Sequence, residues 1–303
     1  MDFLDEEKVR SLLTYEALIP AVERALIDLS AGRIQQPVRS VLRVPEHEGI
    51  FALMPAVDGD LMGVKLVTIY ERNREQPTHQ AVIQLFSANT GEPLLAMDGR
   101  LITEMRTAAV SAVATRALAR RDARVLAILG SGVQARSHVR ALQMVRRFEE
   151  VRVWSRTAEH AKRFVGEFGL RAMESAEAAV HGADVVVSVA NTREPLVHGA
   201  WLAEGLLVCA VGTVGPGKRE LDNAAMQGNV VVESREAALR ESGDIIGSGA
   251  AISAEIGEIL AGTRKISGPG RWTVFKSLGV GATDLAAARL VFEGRKGVSD
   301  GAT

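Results

Sequence analysis

Residues Val125 to Arg156, VLAILGSGVQARSHVRALQMVRRFEEVRVWSR, decide the fold. Val125-Leu126-Ala127-Ile128-Leu129 is apolar throughout and too short for a buried helix, so it reads as a buried strand. Gly130-Ser131-Gly132-Val133-Gln134-Ala135 follows as a turn, a helical pattern follows the turn, and Val151-Arg152-Val153-Trp154 closes the unit as a second strand. A dinucleotide site needs this order. Gly130 permits the tight turn, Gly132 lets backbone approach a pyrophosphate, and Ala135 keeps helix and strand close. The phosphates would lie at the helix N-terminus, where free N–H groups and the dipole favour anions.

The end of the second strand bears on which dinucleotide. NAD sites place Asp or Glu about 20 residues beyond the glycines, on the ribose 2′-hydroxyl. Here Ser155-Arg156-Thr157 stands instead, with no carboxylate before Glu159. A guanidinium between two hydroxyls suits a 2′-phosphate, so NADP(H) is expected in preference to NAD(H); the bland alternative is that Arg156 is a solvated loop residue.

Outward from this unit the chain alternates strand and helix over roughly 120–270, with further strands at 184–190, 206–212 and 229–233. Their near-continuous valine content fits a parallel sheet covered on both faces. The preceding part, to Ala119, is different. Helices are expected over 5–13 and 20–31, then strands at 38–44, 50–55, 63–70, 81–87 and 92–97, then a helix over 103–119. That is an α+β pattern. Thr273 to Gly279 reads as a strand and a helix runs from Ala282, with both expected to return to the first domain; the tail Lys296–Thr303 is expected to fray. The fold class is therefore α/β: a Rossmann domain over 120–272 and a discontinuous α+β domain over 1–119 and 273–303.

Net charge −1, from 36 basic and 37 acidic residues, gives no electrostatic reason to expect nucleic acid or an anionic membrane as partner. Cys209 is the single cysteine, so no internal disulfide can form and a reducing, cytoplasmic location is expected. It lies in a strand-like run and reads as core rather than nucleophile. No run approaches the length of a membrane span, and the acidic N-terminus has no signal-peptide pattern. The six histidines, His47, His79, His138, His160, His181 and His198, are scattered, so no metal site is expected.

Several blocks, in order, resemble the ornithine cyclodeaminase/mu-crystallin family, and within it the mu-crystallin-like ketimine (imine) reductases. They are Gln36-Pro37-Val38-Arg39, Lys65-Leu66-Val67-Thr68, Thr78-His79-Gln80-Ala81, Met97-Asp98-Gly99, Arg106 to Ala112, the glycine turn, Glu241-Ser242-Gly243-Asp244, Ala254 to Glu258 and Thr273 to Gly279. The resemblance covers nearly the whole chain. It implies a homodimer paired through the N-terminal sheets, a substrate cleft between the domains, and chemistry at a carbon bearing nitrogen and a carboxylate. It implies that Arg39 and Arg106 hold that carboxylate, that Lys65 is an active-site lysine, and that Met54, His79 and Val214 line the substrate. Two guanidinium groups suit a carboxylate, and a lysine beside them should lose its proton more easily. On residues alone, Arg39 in an alternating strand reads more readily as a solvated face residue.

One position departs from the pattern. Where the cyclodeaminases and archaeal alanine dehydrogenases carry an Asp two residues before a Pro, this chain has Val214 before Gly215-Pro216. Valine exchanges no proton, which argues against ornithine cyclodeamination; neighbouring Thr213 can donate a hydrogen bond but is a poor base. The expected activity is NADPH-dependent reduction of an imine or cyclic ketimine carboxylate of the Δ1-piperideine- or Δ1-pyrroline-2-carboxylate type, with Lys65 as proton donor. Glu255 could reach the cleft or could serve as a cap. The alternatives are an alanine dehydrogenase-like or N-alkyl amino-acid dehydrogenase, a cyclodeaminase-type lyase, and a non-catalytic NADPH-binding protein.

Overall fold

The computed structural model describes residues 2–266 and 271–299 and divides into two units, Met1–Thr107 with Gly279–Thr303, and Ala108–Leu278. The first holds β1 (Phe3–Leu4), α1 (Glu6–Leu12), α2 (Tyr15–Ser30), β2 (Ser40–Val44), β3 (Gly49–Asp58), β4 (Leu61–Ile69), β5 (His79–Ser87) and β6 (Pro93–Asp98). Helix α3 (Arg100–Leu118) carries the chain across the boundary.

Local chemistry sets these bounds. Asp5 Oδ1 accepts the Lys8 amide at 2.9 Å and so starts α1, while Thr14 Oγ1 accepts the Ala17 amide at 3.4 Å and starts α2. Expecting the second helix to begin at Pro20 was wrong: the Thr14 cap starts it earlier, and Pro20 sits inside the helix. The strand order is β1-β6-β5-β4-β3-β2, with β1 parallel to β6 and the other pairs antiparallel. Directly opposed residues share a face, so Met54, Lys65, Ile83 and Met97 form one row across β3, β4, β5 and β6. All four are buried. Lys65 is thus the one charge in an apolar row.

The second unit holds β7 (Val125–Leu129), α4 (Val133–Val145), β8 (Glu150–Trp154), α5 (Ala158–Phe168), β9 (Arg171–Ala172), α6 (Ala176–Val180), β10 (Val185–Ser188), β11 (Leu207–Ala210), β12 (Asn229–Val232), α7 (Arg235–Glu241), α8 (Gly243–Ser248), β13 (Ile252–Glu255), α9 (Ile256–Leu260) and β14 (Thr273–Lys276). Its eight strands are all parallel, in the order β13-β12-β14-β11-β10-β7-β8-β9. Strands β10, β11 and β14 are buried at every residue, as a sheet covered on both faces requires. Cys209 lies in β11, its thiol pushed up to about 12 by burial.

Here β14 departs from expectation. It pairs with β11 and β12 in the middle of the parallel sheet, so Thr273 to Leu278 belong to the second unit and not the first. Only from Gly279 onward does the chain rejoin the first unit, where α10 (Gly281–Ser299) packs on α2, β3 and β4. Of the tail expected to fray, Lys296–Ser299 completes α10 and 300–303 lie outside the described residues. No helix among the described residues is long and apolar enough to cross a membrane.

Candidate active site

In the first unit, Lys65 reaches α10, where its Nζ lies 2.8 Å from Asp284 Oδ2. The other oxygen of that carboxylate, Oδ1, accepts Arg106 Nε from α3, also at 2.8 Å. All three side chains are buried, to 2% exposure for Lys65 and Asp284. Arg39, just ahead of β2, donates from Nη2 to the Gly279 carbonyl at 2.6 Å. Gly279 has φ +76°, a conformation open mainly to glycine, and a Cβ there would stand 2.7 Å from both Nη atoms of Arg106. The strand and two helices thus bring two cations onto one carboxylate, and the turn before α10 ties in Arg39 through the Gly279 carbonyl.

Desolvation moves the titrations. Burial is the largest influence on Lys65 and lowers its pKa to about 7; Asp284 opposes this, while Arg106 and Arg39 add to it. Burial alone would raise Asp284, but Arg106 and Lys65 outweigh it and hold the carboxyl below its usual range. Nη1 of Arg106 is buried with no hydrogen-bond partner among the described residues. Such a donor is costly unless something fills it, and a planar carboxylate is the matching partner.

Of the other expected residues, Met54 lies directly beside Lys65 in its row. His79 does not join them. It begins β5, exposed, with Nδ1 3.1 Å from the Thr78 hydroxyl, and it is separated from Ile83, which faces Lys65, by four residues, about 13 Å of strand. Val214 belongs to the second unit and is 38% exposed.

The loop bearing Val214 is fixed from beneath by a buried triad. Lys276 Nζ contacts Glu220 Oε1 at 2.5 Å and Asp244 Oδ2 at 3.0 Å, and donates to the Thr213 carbonyl at 2.9 Å. Glu220 accepts the Gly212 and Thr213 amides and the Thr213 hydroxyl, so Thr213 is committed to holding the loop. Glu255 is a cap: its amide donates to Glu258 Oε2 in a capping box, and its Oε1 accepts the Arg235 amide.

The glycine turn fits a dinucleotide. Gly130 has φ +135°, and a Cβ on it would meet Val189 at 3.1 Å; around Gly132 nothing lies within 4 Å of an added Cβ. Gly132 is the N-cap of the thirteen-residue α4 and offers no side-chain cap bond, which leaves the first-turn amides near Val133 and Gln134 open to an anion. Ala135 is fully buried. Ser131 and Ser155 hydroxyls meet at 2.9 Å, tying the turn to the end of β8. Arg156 and Thr157 follow, both exposed, and Thr157 caps α5 without a side-chain hydrogen bond.

A parallel nucleotide-type sheet with a glycine turn opening a helix in the second unit, and arginines beside a buried lysine in the first, define a nicotinamide-dependent α/β protein acting on small carboxylates. The chain belongs to the ornithine cyclodeaminase/mu-crystallin family, whose family model matches residues 1–298. It is 44% identical over 302 residues to the ketimine reductase mu-crystallin of Mus musculus, covering 96% of both chains. Among solved structures it resembles Thermococcus litoralis Δ1-pyrroline-2-carboxylate reductase in complex with NADH and L-proline, at TM-score 0.93 and 36% identity, covering 99% of this chain and 98% of that one. It also resembles an archaeal alanine dehydrogenase dimer with bound NAD, at TM-score 0.92 and 31% identity, covering 98% and 96%.

Sequence reasoning missed Asp284. The signal available was an acid in the first turn of a helix otherwise full of alanine and leucine, which reads as an ordinary helix-dipole partner.

Proposed function

We propose that this chain is an oxidoreductase that reduces the C=N bond of an imine or cyclic ketimine carboxylate to the amino acid, with NADPH preferred. The observation that carries the reading is the meeting of Lys65 and Arg106 on Asp284, with Arg39 on the Gly279 carbonyl nearby and one buried Arg106 donor left for a ligand. A similar ketimine reductase and a pyrroline-2-carboxylate reductase complexed with L-proline support the substrate class.

Gly130, Ser131, Gly132, Val133, Gln134 and Ala135 would hold the dinucleotide, and the nicotinamide supplies the hydride when bound. The chain's own residues do the rest. Arg39 and Arg106 take the substrate carboxylate, which fixes the position of the neighbouring C=N carbon; such positioning is worth several kcal/mol, up to about 7–11 in the best cases. Lys65 gives a proton to the imine nitrogen as the C=N π pair withdraws onto it. An N–H bond of Lys65 breaks, a substrate N–H forms, and the neutral amine is reprotonated by solvent. An ammonium titrating at about 7 is suited to that transfer. Met54 beside Lys65 supplies apolar surface for a ring; His79 is peripheral.

Ser155-Arg156-Thr157, free of carboxylates and adjoining an uncapped helix start, supports a 2′-phosphate. Val214 supports reduction over cyclodeamination, since it has no proton to exchange. The sheet face opposite Lys65 supports a homodimer: Leu42 pairs with Phe51, and Leu53, Leu66 and Val82 form a second apolar row, with Leu42 58% and Val82 38% exposed. The buried free thiol of Cys209 is compatible with the reducing cytoplasm, where we place the protein.

The test follows oxidation of NADPH, and of NADH in parallel, with Δ1-piperideine-2-carboxylate, Δ1-pyrroline-2-carboxylate, and pyruvate plus methylamine; ornithine plus NAD is run beside them. Ketimine turnover with NADPH favoured is expected. Proline and ammonia from ornithine would overturn the reading, and NADPH binding without any turnover would leave a binding protein.

A further inference from the structure

Four groups decide the charge state of Lys65: Asp284 on α10, Arg106 on α3, Arg39 ahead of β2, and the low-polarity surroundings of its own row, Met54 and Ile83. Burial and the two arginines drive its proton off. Among the described residues, Asp284 pulls the other way. The same carboxylate takes Arg106 by Nε and not by the Nη pair, so the guanidinium is gripped at its inner edge while Nη1 stays without a partner among the described residues. One oxygen therefore acts on the lysine and the other on the arginine, each at 2.8 Å.

We infer that Asp284 is a positioning residue for the reaction proposed above: one oxygen keeps Lys65 in the ammonium form that donates the proton, and the other turns Arg106 so that its outer nitrogens face the substrate carboxylate. The inference rests on that reading for its chemistry, but the charge coupling stands on the geometry of the three side chains alone. A consequence concerns the substrate. An arriving carboxylate adds a second anion beside Lys65, so binding strengthens its hold on the proton, and substrate and proton are taken up together. Molecules that lack a carboxylate would bind without that proton, which selects acids over plain cyclic imines at the chemical step as well as at binding.

The experiment titrates Lys65 by NMR in protein labelled with ¹³C at lysine Cε. The chain has seven lysines, and the Lys65 signal is identified by its loss in K65M. In the wild type it should titrate near 7, and in Asp284→Asn, which keeps the shape and removes the charge, at least one pH unit lower. In turnover the alkaline limb of kcat should move down by the same amount, a shift that a merely structural role would not produce. An unchanged midpoint in D284N overturns the proposal. Should D284N not fold, Asp284→Ser replaces it: the carboxylate charge is again gone, the Lys65 midpoint must fall, and a midpoint that stays put overturns the proposal equally. The titration needs no turnover, so failure of the reductase reading and failure of this coupling are seen separately.

Discussion

Gly279 and Arg106 fit together only because the glycine has no side chain. A Cβ at 279 would lie 2.7 Å from both terminal nitrogens of Arg106, while the Gly279 carbonyl accepts Arg39 at 2.6 Å. One residue thus sets both arginines, and it does so at φ +76°. Gly279→Ala should raise KM for the carboxylate substrate at least tenfold, because the displaced guanidinium loses its aim. The strained backbone should cost about 1–3 kcal/mol of stability. Steady-state kinetics and urea unfolding check the two effects; an unchanged KM would show that the arginines do not depend on this turn.

Truncating either arginine removes a charge-assisted contact to substrate. Arg106→Leu should also strip Asp284 of a partner, so it is the harsher change. Loss of a hydrogen bond to a charged group is worth about 1.5–3 kcal/mol, or roughly 10- to 150-fold in kcat/KM. Arg39→Met should fall in that range with stability little altered, and Arg106→Leu should lose more of both. The comparison is made on kcat/KM and on thermal unfolding midpoints.

Lys65→Met should reduce kcat by about 10²–10⁴, the usual contribution of a positioned proton donor, while NADPH binding is unchanged. In the wild type, reduction should weaken as pH rises through about 7, because only the ammonium form donates. A kcat that stays level from pH 6 to 9 would assign the proton to another source.

The fold was largely legible where its signals are local. Val125–Leu129 followed by the glycine turn is a contiguous pattern, and its strand and helix fall where the residues place them. Thr273–Lys276 also reads correctly as a strand, but nothing local says which sheet takes it. Its neighbours, β11 and β12, are fixed by burial and hydrogen bonding across the whole unit. The candidate site shows the same division. Arg39, Lys65 and Arg106 are legible through blocks of resemblance, whereas Asp284 depends on partners remote in sequence, the nearer of them, Arg106, 178 residues away. A lone helix-start acid carries no mark of that distant pairing. Thr14 shows a local signal passed over, a cap that overrides the proline as the start of α2.

Arg156 tests the cofactor expectation. Arg156→Ser should raise KM for NADPH by tenfold or more and leave that for NADH nearly unchanged, since the lost guanidinium would contact only the 2′-phosphate. Equal effects on both cofactors would place the 2′-phosphate elsewhere.

His138 gives a stability prediction with a definite sign. It is fully buried on α4, with Nδ1 2.7 Å from the Gln134 carbonyl and Nε2 3.0 Å from the Ser111 hydroxyl, and burial lowers its pKa from 6.5 to about 4. Between those values the unfolded chain binds a proton that the folded one does not. Stability is therefore full above about 6.5 and is lost as pH falls toward 4, by about 2 kcal/mol between pH 7 and pH 5 from this group. In His138→Gln that part of the loss should vanish in urea unfolding at the two pH values; an undiminished slope would assign it to other groups.

The most direct test of the reductase reading follows the hydride itself. NADPH deuterated at the transferred position of the nicotinamide is incubated with Δ1-piperideine-2-carboxylate, and the product is examined by mass spectrometry and NMR. One deuterium at C2 of pipecolate is predicted, with no ammonia released. Unlabelled product, or label at any other carbon, would contradict hydride delivery to the C=N carbon.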